Sequence, residues 1–253
     1  MKRIDFVALV TLALGSACWM PGALAVEAVH GSVSDVNKLI VTMDSSGVVQ
    51  NKKVVPAVAN HSDEPPLMNG EPEHVRITFG KDKVSDYTDY TQRQLLVYPV
   101  ARYATLFKGK EKAAFDKVVP ELKAILTTKS DHIAKSIPML PAAESYEVFH
   151  NQVKYLNFKS GSGIAYLTAY AQDEAPLKNG DFFYTFQGLT GDGKYYVSFF
   201  CPVTVKQAPE KMSSKKGAAY LGKLPRTAFE PSLDAIDNAL RSISISMAGN
   251  GAK

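Results

Sequence analysis

Cysteine is almost absent from this chain of 253 residues, which contains only Cys18 and Cys201. The disulfide frameworks that hold small secreted domains together are therefore excluded, and the chain must rely on a hydrophobic core. Its length is sufficient for one large domain. Cys201 ends the apolar run Phe199-Phe200-Cys201, which predicts a buried and unreactive thiol.

The chain also lacks an apolar run long enough for a permanent membrane-spanning helix. An apolar run from Phe6 to Leu14 follows Lys2 and Arg3 and precedes an A-L-A sequence ending at Ala25. This order is typical of a secretory signal peptide over residues 1–25, and the alternative is an uncleaved anchor. We expect cleavage after Ala25 and a periplasmic or secreted mature protein. Membrane attachment is expected only if Cys18 is lipidated.

Neither sign of charge is in strong excess. Without residues 1–25 the chain keeps 27 basic and 24 acidic residues, a net charge of +3. This charge permits contact with an anionic surface but does not favour nucleic acid as a partner. The most basic segment, Lys206 to Arg226, is expected to be a loop, either a mobile solvated loop or a binding surface. The candidate basic surface consists of Lys206, Lys211, Lys215, Lys216, Lys223 and Arg226.

Sequence motifs for catalysis or metal binding are missing. The chain has no G-x-S-x-G, and its five histidines show neither H-x-H nor i, i+4 spacing. The stretch Gly188–Lys194 matches G-x-x-x-x-G-K, but Tyr195 follows where a P-loop needs Ser or Thr, so the Asp-Gly pair predicts a hairpin turn. We therefore assign no catalytic residue, cofactor, metal or nucleotide from the sequence.

What the chain contains in quantity is short alternating strands. Four such runs, separated by glycine turns, lie in Val153–Val203, and their aromatic residues on both sides predict a sheet covered on both faces. Apolar spacing predicts helices near 110–129 and 229–241; Pro120 either kinks the first or starts a second one, and Pro231 suits the first position of the other. The sequence therefore predicts an α+β fold, mainly an antiparallel β-sheet flanked by helices.

The first part of the mature chain reads as a separate appendage. A strand near 39–43, a turn and a possible return strand at Val48 predict a small β-hairpin arm, followed by a linker with two adjacent prolines. We place the arm and linker over 26–71, the α+β domain over 72–246 and a flexible tail over 247–253.

One short motif suggests a binding loop. Ser162, Gly163 and Tyr166 form S-G-x-x-Y in a glycine-rich turn, similar to the loop that periplasmic lysozyme inhibitors insert into the lysozyme cleft. Serine and tyrosine hydroxyls there would hydrogen-bond the catalytic carboxylates. The alternative interpretation of the same residues is an ordinary hairpin turn.

Longer strings also carry a resemblance. The patterns FxxGSGxxYLTxYAQ (158–172) and FYTFQGLTxDGKYYVSxxxPV (183–203), with the ending PSLDAIDNALRSISI, resemble a family of secreted bacterial α/β proteins and lipoproteins over about 71–245. The resemblance implies export and an α/β fold, and it implies no particular activity. The helix–strand ending also looks like the PsbP/Mog1 α/β/α sandwich, an architectural likeness that says little about function.

Three hypotheses for function follow. The first is an exported, non-enzymatic envelope protein that binds a partner or supports assembly, the partner being an envelope protein or an anionic surface. The second is a periplasmic lysozyme inhibitor that uses the Ser162–Tyr166 loop. The third is a hydrolase whose site the motifs do not reveal.

Overall fold

The computed structural model describes residues 35–61, 68–80, 89–130, 132–173, 176–209 and 212–248. These ranges contain four α-helices: α1 Val100–Ala104, α2 Gly109–Thr128, α3 Ser214–Lys223 and α4 Leu233–Arg241. They contain eleven strands: β1 Leu39–Thr42, β2 Gln50–Val55, β3 His74–Phe79, β4 Gln94–Pro99, β5 Tyr146–Phe158, β6 Gly161–Ala171, β7 Phe183–Thr190, β8 Tyr195–Pro202, β9 Thr204–Val205, β10 Phe229–Glu230 and β11 Ser244–Met247. The predicted signal peptide lies outside the described residues.

Seven strands form one antiparallel sheet in the order β2-β3-β4-β8-β7-β6-β5. Two small ribbons accompany it, β1 with β11 and β9 with β10. The predicted α+β fold with a mainly antiparallel sheet is confirmed. The hairpin turn predicted within Gly188–Lys194 is also confirmed, because it joins the antiparallel strands β7 and β8.

The sheet has a hydrophobic cluster on each face, as the aromatic alternation predicts. On the first face, α3, α4 and the β1–β11 ribbon pack on side chains such as Val197 and Phe199. On the second face, α1, α2 and the segment after α2 cover the intervening residues, such as Tyr196 and Phe200. Successive strand residues therefore enter opposite clusters, since side chains alternate along a strand.

The predicted hairpin arm over 26–71 is wrong for its described part. Strands β1 and β2 do not pair with each other: β1 pairs with β11, and β2 is the edge strand of the main sheet beside β3. The alternation that indicated a strand was informative, but it could not identify the partner, because pairing depends on segments far along the chain. Residues from at least Asp35 onward belong to the same compact unit as the rest of the described chain.

Two helix details also differ from the sequence prediction. Pro120 lies inside one continuous helix, α2, so no second helix starts there. Helix α4 begins at Leu233 with Ser232 as its N-cap, so Pro231 precedes the helix, and residues 229–230 form β10 instead. The predicted tail is shorter than expected because Met247 is the last residue of β11.

Glycines of the G-S-G and Q-G-L-T stretches have a packing role. Gly163 and Gly188 are cross-strand partners on β6 and β7. A Cβ atom on Gly163 would lie 2.3 Å from the Phe186 ring, and one on Gly188 would lie 2.7 Å from it. Phe186 is fully buried and contacts Phe158 edge-to-face. The two glycines thus leave the space that this ring occupies in the first-face core.

We predict that Gly163→Ala lowers the free energy of unfolding by about 2 kcal/mol, because the added methyl group displaces a fully buried ring. Gly191→Ala is the matched control, since the nearest atom to its Cβ would be 3.9 Å away in an exposed turn. That control is expected to stay within about 0.5 kcal/mol of the wild type. Urea unfolding followed by circular dichroism measures both, and equal losses would show that the ring does not need the glycine.

Candidate functional site

The predicted binding loop at Ser162, Gly163 and Tyr166 is not a loop. All three residues lie within β6, an interior strand of the sheet between β5 and β7. Tyr166 is fully buried in the second-face cluster, and burial raises the pKa of its hydroxyl well above the usual value. A partner cannot reach this ring in the folded protein. The structure therefore gives no support to a lysozyme-inhibitor loop at these residues.

The basic segment 206–226 is likewise not an extended loop. It contains α3, and Lys215, Lys216 and Lys223 lie exposed on this helix. Lys206 follows β9 and is also exposed, whereas Lys211 lies outside the described residues. The lysines of α3 make no ion pair within the described part of the chain. Three of the six predicted members therefore lie on a folded helix, and a fourth, Lys206, lies in the turn after β9.

Arg226 does not belong to that surface. Its Nη2 atom donates to Asp237 Oδ2 at 2.6 Å and to the hydroxyl of Tyr184 at 3.0 Å. Its Nε atom donates to Asp234 Oδ1 at 2.7 Å. Lys154 adds a second cation 3.1 Å from Asp237, which is only 2% exposed. Arg226 is thus an internal anchor that ties the segment after α3 to α4 and to the sheet.

A cleft of about 480 Å³ lies beside α3, between this helix and the β9–β10 ribbon. This volume is in the range of small ligand-binding pockets. We call it the α3 cleft. Its floor is apolar and is formed by Val205, Tyr220, Leu224, Ala228 and Phe229. Its rim is polar and includes Lys206, Gln207, Thr227, Glu230 and Ser232.

Two lysines of α3 lie on the helix face that carries the lining residue Tyr220. Lys216 and Lys223 lie four residues before and three residues after Tyr220, so the three residues share one helix face. Helix α3 contains no acidic residue, and Lys215 and Lys216 lie in its first turn, where the helix dipole is already positive. The rim carboxylate of Glu230 lies 3.6 Å from Lys206. The α3 cleft therefore combines an apolar floor with a net positive surround.

Polar side chains fix the elements that form the cleft. The Gln152 amide donates to the carbonyls of Leu221 and Leu224 at 3.0 and 2.9 Å, which satisfies free acceptors at the end of α3. Asn179 makes a two-way contact with the backbone of Val205 on β9, with both distances at 2.9 Å. The cleft is therefore held by side chains from β5 and from the loop before β7.

Neither the buried His74 nor the half-buried His150 is paired with a nucleophilic side chain in the described residues. Within the described residues His74 hydrogen-bonds Pro72 and Arg76, and His150 contacts Ile133 and Glu147; neither ring hydrogen-bonds a serine, threonine or cysteine side chain. The predicted burial of Cys201 is confirmed at 1% exposure, and burial raises the pKa of its thiol to about 11. A thiol with that pKa is not a nucleophile at neutral pH.

The described residues contain no group of three or more histidine, cysteine, aspartate or glutamate side chains placed to hold a metal ion. Among the helices in the described ranges, none combines the length and the hydropathy that crossing a membrane requires.

Sequence reasoning found the lysines of this site but missed its floor. The spacing of Lys216, Tyr220 and Leu224 is a helical signal, yet the glycines and small residues of the segment led to its interpretation as a loop. Phe229 was placed in the last helix, whereas it forms β10. The chain was compared with models of protein families, with curated proteins and with solved structures. No match was found in any of the three. The resemblance to secreted bacterial α/β proteins stays a prediction.

Proposed function

We propose that this chain is an exported, non-enzymatic envelope protein that acts as a binding or assembly-support module, located in the periplasm or outside the cell. In this proposal the α3 cleft holds an acidic segment of a partner protein. The observation that carries it is the combination of an apolar floor, Lys206 on the rim, and Lys216 and Lys223 on the helix face that carries the lining residue Tyr220. Export rests on the charged, apolar and small-residue pattern of residues 1–25.

The shape of the site favours a protein segment over a lipid surface. A flat anionic surface would contact exposed lysines but would leave the concave floor at Phe229 and Leu224 unused. An acidic segment with one or two apolar side chains would use both the floor and the rim. Charges at the rim would steer the encounter and the buried floor would hold the complex.

A site-specific crosslinking experiment tests the location. A photo-crosslinking residue is placed at Gln207, on the rim of the α3 cleft, or at Lys117, exposed on α2 and on the opposite face of the sheet. Both forms are exported in the native cell envelope and irradiated. The proposal expects a discrete crosslinked partner from position 207 and not from position 117. Equal products at both positions, or none at 207, would contradict it.

Charge reversal tests the chemistry of the same site. We predict that the double change Lys216→Glu and Lys223→Glu weakens binding of the crosslinked partner by about ten-fold or more, because two attractive charges become repulsive. Binding by the wild type should also weaken as salt is added. The outcome that counts against this chemistry is an unchanged affinity in a variant that remains folded.

A further inference from the structure

The second face of the sheet contains a histidine whose two ring nitrogens both face acceptors. His150 on β5 places Nε2 2.8 Å from the carbonyl oxygen of Ile133 and Nδ1 3.3 Å from Oε2 of Glu147. Carbonyl and carboxylate oxygens only accept hydrogen bonds. Both contacts are satisfied together only when both nitrogens carry a proton. The geometry therefore favours the charged imidazolium, and the hydrogen bond to Glu147 raises the pKa of His150 above its usual value.

Glu147 depends on this histidine for its charge balance. Its side chain is only 4% exposed, and its Oε1 atom has no hydrogen-bond partner within the described residues. His150 is also its only ion-pair partner there. A buried carboxylate without a counter-charge is strongly unfavourable. Loss of the His150 proton would therefore leave the Glu147 carboxylate buried without a counter-charge. That state is relieved only when water reaches the carboxylate or when the carboxylate takes up a proton.

Other ionisable groups lie near His150 and Glu147, but none of those in the described residues supplies a counter-charge to either. No charged side chain from the neighbouring elements lies within ion-pair distance of His150 or Glu147 in the described ranges. The nearby ionisable groups are Tyr166 and Tyr170 on β6, on which the Glu147 charge acts, and Tyr90, which acts on Tyr170. His132 and Lys135 lie in the segment that His150 contacts. Of these, the tyrosines are neutral at physiological pH, with burial raising the pKa of Tyr90, Tyr166 and Tyr170 further.

The Ile133 carbonyl belongs to a segment that forms the wall of a groove. Residues 132–138 and the C-terminal half of α2 enclose about 320 Å³, with Ala124, Ile125, Ile133, Ala134, Pro138 and Tyr155 as the apolar lining. His150 ties this wall to the sheet, and the Tyr155 hydroxyl adds a hydrogen bond to Ser130 at 2.9 Å. Residues 132–138 contain neither helix nor strand. The end of the segment is held separately, because Ile137 is buried in the second-face cluster and the Tyr196 hydroxyl donates to the Pro138 carbonyl at 3.3 Å. The part that depends on His150 is therefore residues 132–136.

We propose that protonated His150 latches residues 132–136 to β5 and that loss of its proton releases this segment, so that the groove wall opens as the pH rises. The neutral ring keeps its one proton on Nδ1, where the Glu147 carboxylate accepts it, so Nε2 can no longer donate to the Ile133 carbonyl. The direction follows from linkage. A group whose pKa is raised on folding stabilises the closed state fully below its unfolded value, about 6.5, and this contribution disappears as the pH rises through the folded value. This device lies on the face of the sheet opposite the α3 cleft and does not depend on the proposed function.

Amide hydrogen exchange of the full mature protein tests the latch at about pH 5.5 and about pH 8.5, on either side of the ordinary histidine value. After correction for the intrinsic pH dependence, the wild type should open at residues 132–136 about five-fold more often, or more, at the higher pH. Glu147→Gln should abolish this difference, because a neutral amide needs no counter-charge. His132→Gln, an exposed histidine in the same segment, should keep it.

If Glu147→Gln does not fold, the latch can still be tested by a measurement on the wild type. The NMR titration of the His150 ring should have its midpoint within about half a pH unit of the midpoint for opening of residues 132–136. The latch is overturned by pH-independent exchange in the wild type, by a persistent pH response in Glu147→Gln, by loss of the response in His132→Gln, or by two separate midpoints.

Discussion

Replacing Asp237 with asparagine is expected to lower the free energy of unfolding by about 3 kcal/mol, since it breaks a buried charge network on one side. Asp237 is 2% exposed, accepts hydrogen bonds from Arg226 and Tyr184 at 2.6 and 2.8 Å, and forms an ion pair with Lys154 at 3.1 Å. An asparagine can still accept from the tyrosine hydroxyl. Its amide hydrogens would then face the guanidinium, so two donors would meet and the arginine would lose its best-buried counter-charge.

Asp234 provides a matched control for this change. It contacts the same arginine at 2.7 Å, but its side chain is half exposed. Asp234→Asn is expected to cost less than about 1 kcal/mol, because water screens and replaces an exposed partner. Urea unfolding at neutral pH measures both variants. Similar losses for Asp234→Asn and Asp237→Asn would show that burial of the second carboxylate does not matter to the anchor that positions the α3 cleft.

Acid is expected to remove about 3 kcal/mol of stability between pH 6.5 and about pH 4 through His74 alone. His74 is fully buried, and its Nδ1 donates to the carbonyl of Pro72 at 2.7 Å while Nε2 faces Arg76 at 3.3 Å. Desolvation by burial is the main cause that lowers its pKa to about 4, despite the nearby carboxylate of Glu71. The folded protein therefore keeps this ring neutral.

The sign follows from which state binds the proton. Above about pH 6.5 the ring is neutral in both states, so the stabilising contribution is complete. Between that pH and the folded-state pKa of about 4, His74 binds a proton in the unfolded chain but stays neutral in the folded protein. Stability then falls as the pH falls. Unfolding curves at stepped pH should be flatter across this window for His74→Gln, whereas His61→Gln, an exposed histidine, should leave the slope unchanged.

An unchanged slope in His74→Gln would show that another group causes the acid loss. The absolute stability of that variant is a separate matter, because Glu71, Tyr98 and Arg76 lose a neighbour. The Tyr98 hydroxyl donates to Glu71 at 2.5 Å, and the Tyr98 ring centroid lies 4.6 Å from that of His74. The slope rather than the midpoint is therefore the relevant measurement.

Much of the central sheet could be predicted because its signals are local. The runs at 161–171, 183–190 and 195–202 alternate with period two, and glycine turns lie at their ends. Asp192-Gly193 marks a hairpin turn on its own. Aromatic residues on both sides of these strands also predicted that both faces of the sheet are covered. The same argument, applied to Tyr166, would have predicted that its ring is buried rather than presented in a loop.

The missed features depend on contacts between distant segments. Strand β2 contains Lys52 and Lys53, which suit a protected edge strand, but nothing local shows that its partner is β3 after an intervening linker. Helix α3 has few large apolar residues, so its stripe is weak, and packing on β5 compensates for this. The Asn151 amide, for example, donates to the carbonyl of Ala218 at 2.9 Å.

Among the candidate binding residues, local sequence signals again predicted some features, and features that depend on distant contacts were missed. Counting charges located the lysines of α3 correctly as a basic region. It could not separate Arg226 from them, because its partners Asp234 and Asp237 lie on another helix. The apolar floor of the α3 cleft joins residues from β9, α3 and β10, which only the fold brings together.

The most direct test of the proposed function is the affinity of the partner crosslinked at position 207 for three forms of the mature protein. The forms are the wild type, the double change at Lys216 and Lys223, and a control with Lys110→Glu and Lys117→Glu on α2. Both pairs are exposed lysines, and they lie on opposite faces of the sheet. We predict about ten-fold weaker binding for the α3 pair and less than about two-fold change for the α2 pair. Equal weakening by both pairs would contradict it, because the partner would then respond to net charge and not to the α3 cleft.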